Sequence, residues 1–192
     1  MIIKDSNPFS GPSFSFSNRL LRFVWGAVWL ILFKPSPRIM HEYRSILLRL
    51  FGAKIGKHVH IYPNVKIWAP WNLHVDDYTG VADGVTLYNM DKIVIGSYCV
   101  ISQGAHLCGG SHDYNSNNFQ LFARPIIIKN RAWICAESFL FLGVTIEEGV
   151  VVGARSVVKK DCSIPWGVYA GNPCAKVGER KSFGDISETQ QY

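Results

Sequence analysis

The chain has 192 residues, 48% of them hydrophobic and 18% charged, which excludes a disordered protein and is enough to bury a sizeable core. Twenty Lys and Arg against fourteen Asp and Glu make the formal net charge +6. Residues 1–60 carry nine basic and two acidic residues, a balance of +7, whereas residues 61–192 carry eleven against twelve, a balance of −1. Because the positive charge is confined to the first third, a nucleic-acid-binding protein is not expected. A local surface for an anionic partner, such as a membrane, is predicted instead.

The segment over residues 1–54 is predicted to be an irregular arm followed by two helices. The first helix would begin with Asn18 as its N-cap and end at Phe33. The second would cover residues 38–51, with Gly52 as its C-terminal cap. At helical spacing, one apolar stripe of the second helix would contain Ile39, Tyr43, Ile46, Leu47, Leu50 and Phe51.

The composition also bears on the cellular compartment. The apolar stretch Phe23–Phe33 has only 11 residues, too few for a membrane-spanning helix, and no small-residue cleavage site follows it. The cysteines are odd in number and form no Cys-x-x-Cys pair: Cys99, Cys108, Cys135, Cys162 and Cys174. We therefore expect reduced thiols in a cytoplasmic protein, with Cys99 and Cys162 in the core.

From residue 55 onward an aliphatic residue recurs every six positions within four runs; the phase slips by two after Leu73 and after Ile93 and breaks after Leu107. The positions are Ile55, Ile61, Ile67, Leu73, Val75, Val81, Leu87, Ile93, Ile95, Ile101, Leu107, Ile128, Ile134, Leu140, Ile146, Val152, Val158 and Ile164. Small residues often occupy the fifth position of each hexad. Three hexads per turn predict a triangular solenoid of about five turns over residues 55–178, followed by a C-terminal tail at 179–192. The early turns take 20 residues and the later ones 18, so an extra pair would bulge at one corner of each early turn.

The hexads stop between Leu107 and Ile128, which predicts an excursion loop over residues 108–127. Long insertions of this kind are usually functional or disordered. The pair Gly109-Gly110 would give a flexible exit, and residues 115–118 form a predicted turn.

The motifs resemble those of the hexapeptide-repeat acyltransferases, and most closely those of the colanic-acid-biosynthesis-type sugar O-acetyltransferases. They are Ser111-His112-Asp113, Arg124-Pro125-Ile126, Gly143-Val144-Thr145-Ile146, Ala170-Gly171-Asn172-Pro173, and the run from His60-Ile61-Tyr62-Pro63 to Trp68-Ala69-Pro70-Trp71-Asn72-Leu73. This resemblance implies a left-handed parallel β-helix, a homotrimer with sites between subunits, and acetyl transfer from acetyl-coenzyme A to a sugar hydroxyl of an exopolysaccharide. No metal is implied.

The resemblance makes His112 the general base, because histidine can take a hydroxyl proton near neutral pH. Without the motif, an ordinary loop histidine would be the simpler interpretation. Asn89 lies where a carboxylate orients the base in related enzymes; it would hold the imidazole, bind the acceptor, or only shape a turn. Asp113 would bind substrate or cap a turn. Gln120 replaces the family's acceptor-binding glutamate, so only a weak contact is implied there.

The resemblance also implies a coenzyme A site. Its residues would be Trp133, Ala136, Ala154, Lys159, Lys160, Gly171 and Lys176, with the lysines near the phosphates. The simpler alternatives are that Trp133 only packs against the solenoid and that the lysines only lie in solvent at a corner.

Two other functions remain open at this point. One is a non-catalytic β-helix scaffold that only binds partners. The other is a zinc hydratase of the γ-class carbonic anhydrase type, for which His106 and His112 are six residues apart rather than five, without a third histidine at an obvious spacing. The basic N-terminal helices would cover the open end of the solenoid, contact a membrane, or both.

Overall fold

A computed structural model describes residues 2–3 and 8–182. Parts of the predicted arm, residues 1 and 4–7, and most of the predicted tail, residues 183–192, lie outside the described residues. The rest is a parallel β-solenoid of about six turns preceded by helices, which confirms the predicted fold class and adds about one turn. Left-handed coiling stays a prediction.

Three sheets form the faces of the solenoid. The first face contains β1 (Lys54–Ile55), β4 (Leu73–Val75), β7 (Ile93–Ile95), β12 (Ile126–Ile128) and β15 (Thr145–Ile146). The second face contains β2 (His60–Ile61), β5 (Gly80–Val81), β8 (Val100–Ile101), β13 (Trp133–Ile134), β16 (Val151–Val152), β18 (Gly167–Ala170) and the antiparallel β19 (Ala175–Glu179). The third face contains β3 (Lys66–Ile67), β6 (Thr86–Tyr88), β9 (His106–Cys108), β14 (Phe139–Leu140) and β17 (Val157–Val158).

The hexad residues fill the interior, as predicted. The aliphatic positions from Ile61 to Val158 are buried, and so are the small residues at the fifth positions, from Val59 to Cys162. The prediction that Ile164 faces the interior is wrong, because this residue is 45% exposed. Ile146 pairs with Cys162 in the last turn, so the hexad phase ends two residues early and the thiol takes the inward position.

The extra residues of the early turns all lie at one corner, between the third and the first face. We call it the wide corner; it contains residues 68–72, 89–92 and 109–125 in successive turns, and 141–144 and 159–161 in the later, shorter ones. In the first turn it holds a 3₁₀ helix, Pro70–Asn72. In the third turn it holds the excursion, an antiparallel hairpin of β10 (Gly110–His112) and β11 (Leu121–Ala123) with a turn over residues 114–118.

The opposite edge of the third face is the narrow corner, with four residues in each turn, as at 135–138 and 153–156. Backbone hydrogen bonds join successive turns along it, for example from the amide of Arg155 to the carbonyl of Ala136 (2.9 Å). The narrow corner therefore keeps a regular spacing, whereas the wide corner provides the irregular surface.

The N-terminal helices differ from their predicted bounds. α1 covers Phe16–Val28 and continues as a π-helical turn over Trp29–Phe33, and α2 covers His41–Leu50. Ser15, not Asn18, caps α1; its hydroxyl accepts from the amide of Asn18. Gly52, with φ of 87°, does end α2 as predicted, because its amide and the next one bond back to the last turn.

The predicted apolar stripe of α2 is half right, because Leu47 and Phe51 pack against the core and Tyr43 is partly buried. Ile39, Ile46 and Leu50 are exposed, whereas Arg44, which the pattern placed on the polar side, is fully buried. The Arg44 guanidinium donates to the carbonyls of Ile61, Pro37 and Arg38 at 2.6–2.8 Å and to the hydroxyl of Ser36 at 2.8 Å. Periodicity missed this residue because its partners are acceptors of the segment just before α2 and one carbonyl of the solenoid, which no helical spacing reports.

Arg44 belongs to a set of side chains that close the open end of the solenoid. The first turn has no preceding turn to donate to its carbonyl groups. Trp25 donates its indole N–H to the carbonyl of Ile67 (2.7 Å), and Trp29 does the same to Val65 (2.9 Å). The helices thus cover the core and satisfy its terminal hydrogen bonds, which confirms the capping role predicted for them.

Candidate active site

The hairpin that carries His112 leaves the wide corner through two glycines. A side chain on Gly109 would place its Cβ 2.9 Å from the carbonyl oxygen of Tyr88, and one on Gly110 would collide with the Met90 sulfur. The pair Gly109-Gly110 was predicted to provide flexibility. In the structure, the absence of side chains on these two glycines lets the hairpin lie directly against Tyr88 and Met90 of the preceding turn.

His112 lies at the end of β10, half-buried, opposite Leu121 of β11. Its Nδ1 is 2.8 Å from the carbonyl oxygen of Phe119, and its ring stacks on the Phe119 ring at 4.4 Å with an interplanar angle of 11°. A carbonyl oxygen can only accept, so Nδ1 carries a proton, and in the neutral imidazole the lone pair is then on Nε2. This is the tautomer that a general base needs.

Phe119 is thus the residue that orients His112, through its main chain. It has a positive φ of 47°, which is unusual for an aromatic residue and turns its carbonyl toward the imidazole. Sequence analysis missed it because any residue type supplies a carbonyl group. The only available signal was a position seven residues after the histidine on a short hairpin.

Asn89 does not orient His112, which corrects that expectation. Its side chain is fully buried, and its amide group bonds twice to Ala69 of the preceding turn. Oδ1 accepts from the Ala69 amide (3.0 Å), and Nδ2 donates to the Ala69 carbonyl (2.6 Å). Asn72 adds donations to the carbonyls of Asn89 and Met90. Asn89 therefore pins two successive turns of the wide corner together, in agreement with the simplest of its predicted roles.

Asp113 and Gln120 have local partners at the base of the hairpin turn. The Asp113 carboxylate accepts from the amide of Asn115 (3.0 Å), the geometry of a turn-capping aspartate. The Gln120 amide donates to the carbonyl of Leu121 (2.9 Å) and accepts from Asn118 (3.3 Å). Substrate binding by Asp113 stays a prediction, since its side chain is exposed.

A cavity of about 780 Å³ opens beside the hairpin, between the wide corners of the first two turns and β11. Trp71, Asn72, Met90, Asp91 and Gln120 contribute to its walls. The enlarged corners that the early 20-residue turns create therefore form part of its walls, and the N-terminal arm and α1 contribute Phe14 and Asn18. Asp91, a carboxylate at the wall, was not singled out from the sequence; its only signal is its place in the second enlarged corner.

The predicted coenzyme A residues fall into three groups on the solenoid. Ala136, Ala154 and Gly171 lie in successive turns of the narrow corner and form one row of small residues. Lys159 and Lys160 are exposed on the wide corner, two turns beyond the hairpin, with the Lys159 ammonium 5.6 Å from the centre of the Phe141 ring. The row and the lysines therefore border the third face from opposite edges.

Trp133 and Lys176 lie apart from those five residues, on the second face. Trp133 is 46% exposed, and its indole N–H donates to the hydroxyl of Ser102 (2.9 Å). Lys176, on β19, pairs with Glu179 at 2.6 Å. One chain does not bring all the predicted coenzyme A residues together.

Several other titratable side chains with a shifted pKa belong to the solenoid. His106 packs against Phe139 on the third face, and burial, followed by the charge of Lys66, lowers its pKa. Burial raises the pKa of Cys99 to about 11 and that of Cys162 to about 12, so neither is a nucleophilic thiolate near neutral pH, as predicted. Within residues 2–3 and 8–182, no group of three or more His, Cys, Asp or Glu could hold a metal ion.

Comparisons with known proteins bear on the fold and the family. No family model matches the chain. WcaF of Escherichia coli (strain K12), named as a colanic acid biosynthesis acetyltransferase, is 46% identical over 180 residues, which cover 93% of this chain and 98% of WcaF. The galactoside O-acetyltransferase of the same organism is 28% identical over 141 residues, 72% of this chain and 69% of its own.

Among solved structures, a galactoside acetyltransferase in complex with coenzyme A superposes with a TM-score of 0.81 at 24% identity, covering 94% of this chain and 91% of that one. The likeness to this solved structure shows the shared solenoid fold. The near-complete overlap with WcaF shows the family, because the solenoid, the excursion and the N-terminal helices all fall within the matched length. The chain belongs to the hexapeptide-repeat acetyltransferases of the WcaF type.

Proposed function

We propose that this protein transfers the acetyl group of acetyl-coenzyme A to a hydroxyl group of a sugar or glycan acceptor, with His112 as general base. The observation that carries the proposal is the hydrogen bond from His112 Nδ1 to the carbonyl of Phe119, which leaves Nε2 as the free acceptor. A histidine whose second nitrogen is held in this way is prepared to remove a proton.

In the proposed reaction, Nε2 takes the proton of the acceptor hydroxyl while that oxygen bonds to the thioester carbonyl carbon. Main-chain N–H groups would stabilise the resulting oxyanion. The carbon–sulfur bond then breaks, and the leaving thiolate takes the proton from the imidazolium. The products are an acetyl ester and the free thiol of coenzyme A, and no oxidation or reduction occurs. The Phe119 carbonyl stabilises the imidazolium through its hydrogen bond with the Nδ1 proton.

The arrangement of the wide corner supports separate places for the two substrates. The cavity lies on the N-terminal side of the hairpin, with polar groups from Asn72, Asp91 and Gln120 that suit a hydroxylated acceptor. Lys159 and Lys160 lie on its C-terminal side, where cations would bind the phosphates of coenzyme A. His112 lies between them along the same edge.

A homotrimer would complete this site, and we propose one. The small-residue row at Ala136, Ala154 and Gly171 follows the narrow corner, away from the edge that carries His112 in the same chain. If the hairpin of one copy faces the narrow corner of the next, the pantetheine arm could run along small side chains close to a base from the neighbouring subunit. Sedimentation-equilibrium ultracentrifugation tests this; a monomer with full activity would contradict it.

We further propose that the acceptor belongs to exopolysaccharide or capsule biosynthesis and that the protein works in the cytoplasm. The name of WcaF supports the first part. The second part is supported by five free cysteines, two of them buried, which suit a reducing compartment.

The function is tested by coenzyme A release with a panel of sugar acceptors. His112→Ala should lower kcat by about 10² to 10⁴, the range for loss of a general base. His74→Ala is the matched control, because His74 is partly exposed and paired with Asp76 (2.9 Å) on the first face; its kcat should equal that of the wild type.

Calorimetry with coenzyme A distinguishes the proposed enzyme from a scaffold. We expect wild type and His112→Ala to bind coenzyme A with similar affinity, since the base does not hold the cofactor phosphates. Absence of coenzyme A binding to the wild type, or full turnover by His112→Ala, would contradict the proposal.

A further inference from the structure

The first helix presents an apolar surface to solvent. Exposed apolar residues are spaced along it by four, three and seven positions, with one further residue beside the last, so they lie on one side. We call this stripe the outer face of α1; it comprises Phe16 (70% exposed), Leu20 (50%), Phe23 (75%), Leu30 (62%) and Ile31 (67%). A helix on the surface of a soluble domain normally turns its polar side outward, so this surface is unlike an ordinary solvent-facing one.

The opposite side of the same helix is attached to the solenoid. Trp25 and Phe33 are buried, and the indole N–H groups of Trp25 and Trp29 bond to carbonyls of the first turn. The helix over Phe16–Phe33 has 18 residues and is long and apolar enough, by length and composition, to cross a membrane, which revises the shorter apolar stretch considered from the sequence. Its attachment to the end of the solenoid favours a helix lying along a surface instead.

The charges around the outer face are positive. Arg19 and Lys34 are exposed near its two ends, and the sequence contains no Asp or Glu between residues 8 and 41. Other cations of this segment are engaged elsewhere, because Arg38 pairs with Asp83, Arg49 pairs with Glu42 and Arg44 is buried. Apolar side chains between cations are the pattern of a helix that binds at the interface of an anionic bilayer.

We infer that the outer face of α1 lies on an anionic lipid bilayer. Pairing with a second copy of the same face is disfavoured, because it would bring two surfaces of the same sign together. The bilayer instead supplies both apolar depth for the side chains and negative charge for Arg19 and Lys34. This inference stands on the surface of the helix alone and does not depend on the acetyl-transfer reaction.

Co-sedimentation of the full-length protein with vesicles tests the inference. The vesicles are phosphatidylcholine alone and phosphatidylcholine mixed with phosphatidylglycerol. The triple variant Phe23→Ser, Leu30→Ser, Ile31→Ser should lose at least about tenfold in partition coefficient on the mixed vesicles. The control variant Ile164→Ser, Val177→Ser changes side chains that are 45% and 65% exposed elsewhere on the molecule, and should bind as the wild type does.

A second variant separates the electrostatic contribution. Arg19→Gln with Lys34→Gln should weaken binding to the mixed vesicles by roughly fivefold for each cation removed and leave binding to phosphatidylcholine unchanged. Thermal melting of all variants should match the wild type, because every changed residue is exposed.

Four outcomes would overturn the inference. They are absence of wild-type binding to the mixed vesicles, equal binding by the triple variant, a lower oligomeric state of the triple variant in ultracentrifugation, and retention of the protein in membranes after alkaline carbonate extraction. The third would identify the outer face as a contact between copies of this chain, and the fourth would identify the helix as a membrane-spanning one. If the wild-type protein binds the mixed vesicles but releases no coenzyme A with any acceptor, the proposed function is contradicted and the bilayer contact stands.

Discussion

Asn89 offers the sharpest test of how the wide corner is built. Its amide group is fully buried and satisfies both the amide and the carbonyl of Ala69 in the preceding turn. Asn89→Ala would leave two main-chain groups without partners in the solenoid interior. A buried group that loses its partner costs about 1–3 kcal/mol, so we expect a loss of about 3 kcal/mol in the free energy of unfolding. For a chain of this size, that lowers the melting temperature by roughly 6–12 °C.

The assay is thermal unfolding followed by circular dichroism. Asn64→Ala is the matched control, because Asn64 is exposed and its amide is 3.5 Å from Asp83; its melting temperature should stay within about 2 °C of the wild type. Under the proposed function, Asn89→Ala should also raise KM for the acceptor and leave KM for acetyl-coenzyme A unchanged. The part of the wide corner that Asn89 holds in place borders the cavity, whereas Lys159 and Lys160 lie in a later turn.

Asn89→Asp adds a dependence on pH. A carboxyl group here can donate to the Ala69 carbonyl only when protonated, and burial disfavours its charged form, so its folded-state pKa should lie above the unfolded value of about 3.9. The stability that it contributes is then present below the unfolded pKa and is lost as pH rises through the folded pKa. Relative to wild type, the variant should therefore be less destabilised at acid pH than at neutral pH. Equal melting of Asn89→Ala and wild type, or a pH-independent difference for Asn89→Asp, would refute this account.

Three further predictions concern the rest of the fold. Arg44→Met should cost about 3 kcal/mol in denaturant unfolding, because it leaves the buried carbonyl of Ile61 and the partly buried carbonyls of Pro37 and Arg38 without this donor; a loss below about 1 kcal/mol would contradict the capping role. Because burial holds the pKa of Cys99 at about 11 and that of Cys162 at about 12, both should resist iodoacetamide at pH 8 in the folded protein and react after denaturation; mass spectrometry locates the adducts. Gly109→Ala should displace the hairpin, since the new Cβ would lie 2.9 Å from the carbonyl of Tyr88, and should lower kcat with a cost of about 1–3 kcal/mol in stability; unchanged kcat would contradict the close approach.

The solenoid itself was predictable because its interior repeats. A residue that packs on its equivalent one turn away must be aliphatic in every turn, so Ile61, Val81 and Ile101 report the same environment three times. The repeat also located the excursion as the place where this requirement stops. It failed at Ile164, where the last turn is shorter and Cys162 takes the inward position. There the chain has no further turn that would enforce the spacing.

The N-terminal helices were predictable as helices but not in their orientation. Helical periodicity assumes that apolar residues face the core, whereas α1 places its tryptophans on the solenoid and its Leu and Ile residues toward solvent. In α2 the buried side chains include Arg44, which donates to the carbonyl of Ile61 at the open end of the solenoid and to the carbonyls of Pro37 and Arg38 before the helix. The need to satisfy these carbonyl groups, and not hydrophobicity, determines that Arg44 is on the buried side of α2.

The residues themselves identify a basic N-terminal segment, a hexapeptide solenoid, one excursion and one histidine on it, since each is a local pattern of charge, spacing or motif. Tertiary structure alone decided which group orients His112. Every residue has a main-chain carbonyl, and only the fold of the hairpin brings that of Phe119 to the imidazole. It likewise decided that Asn89 is buried behind the cavity and joins two successive turns of the wide corner through Ala69. The charge of the first third was visible in the composition, but only the folded helix shows that this charge borders an exposed apolar face.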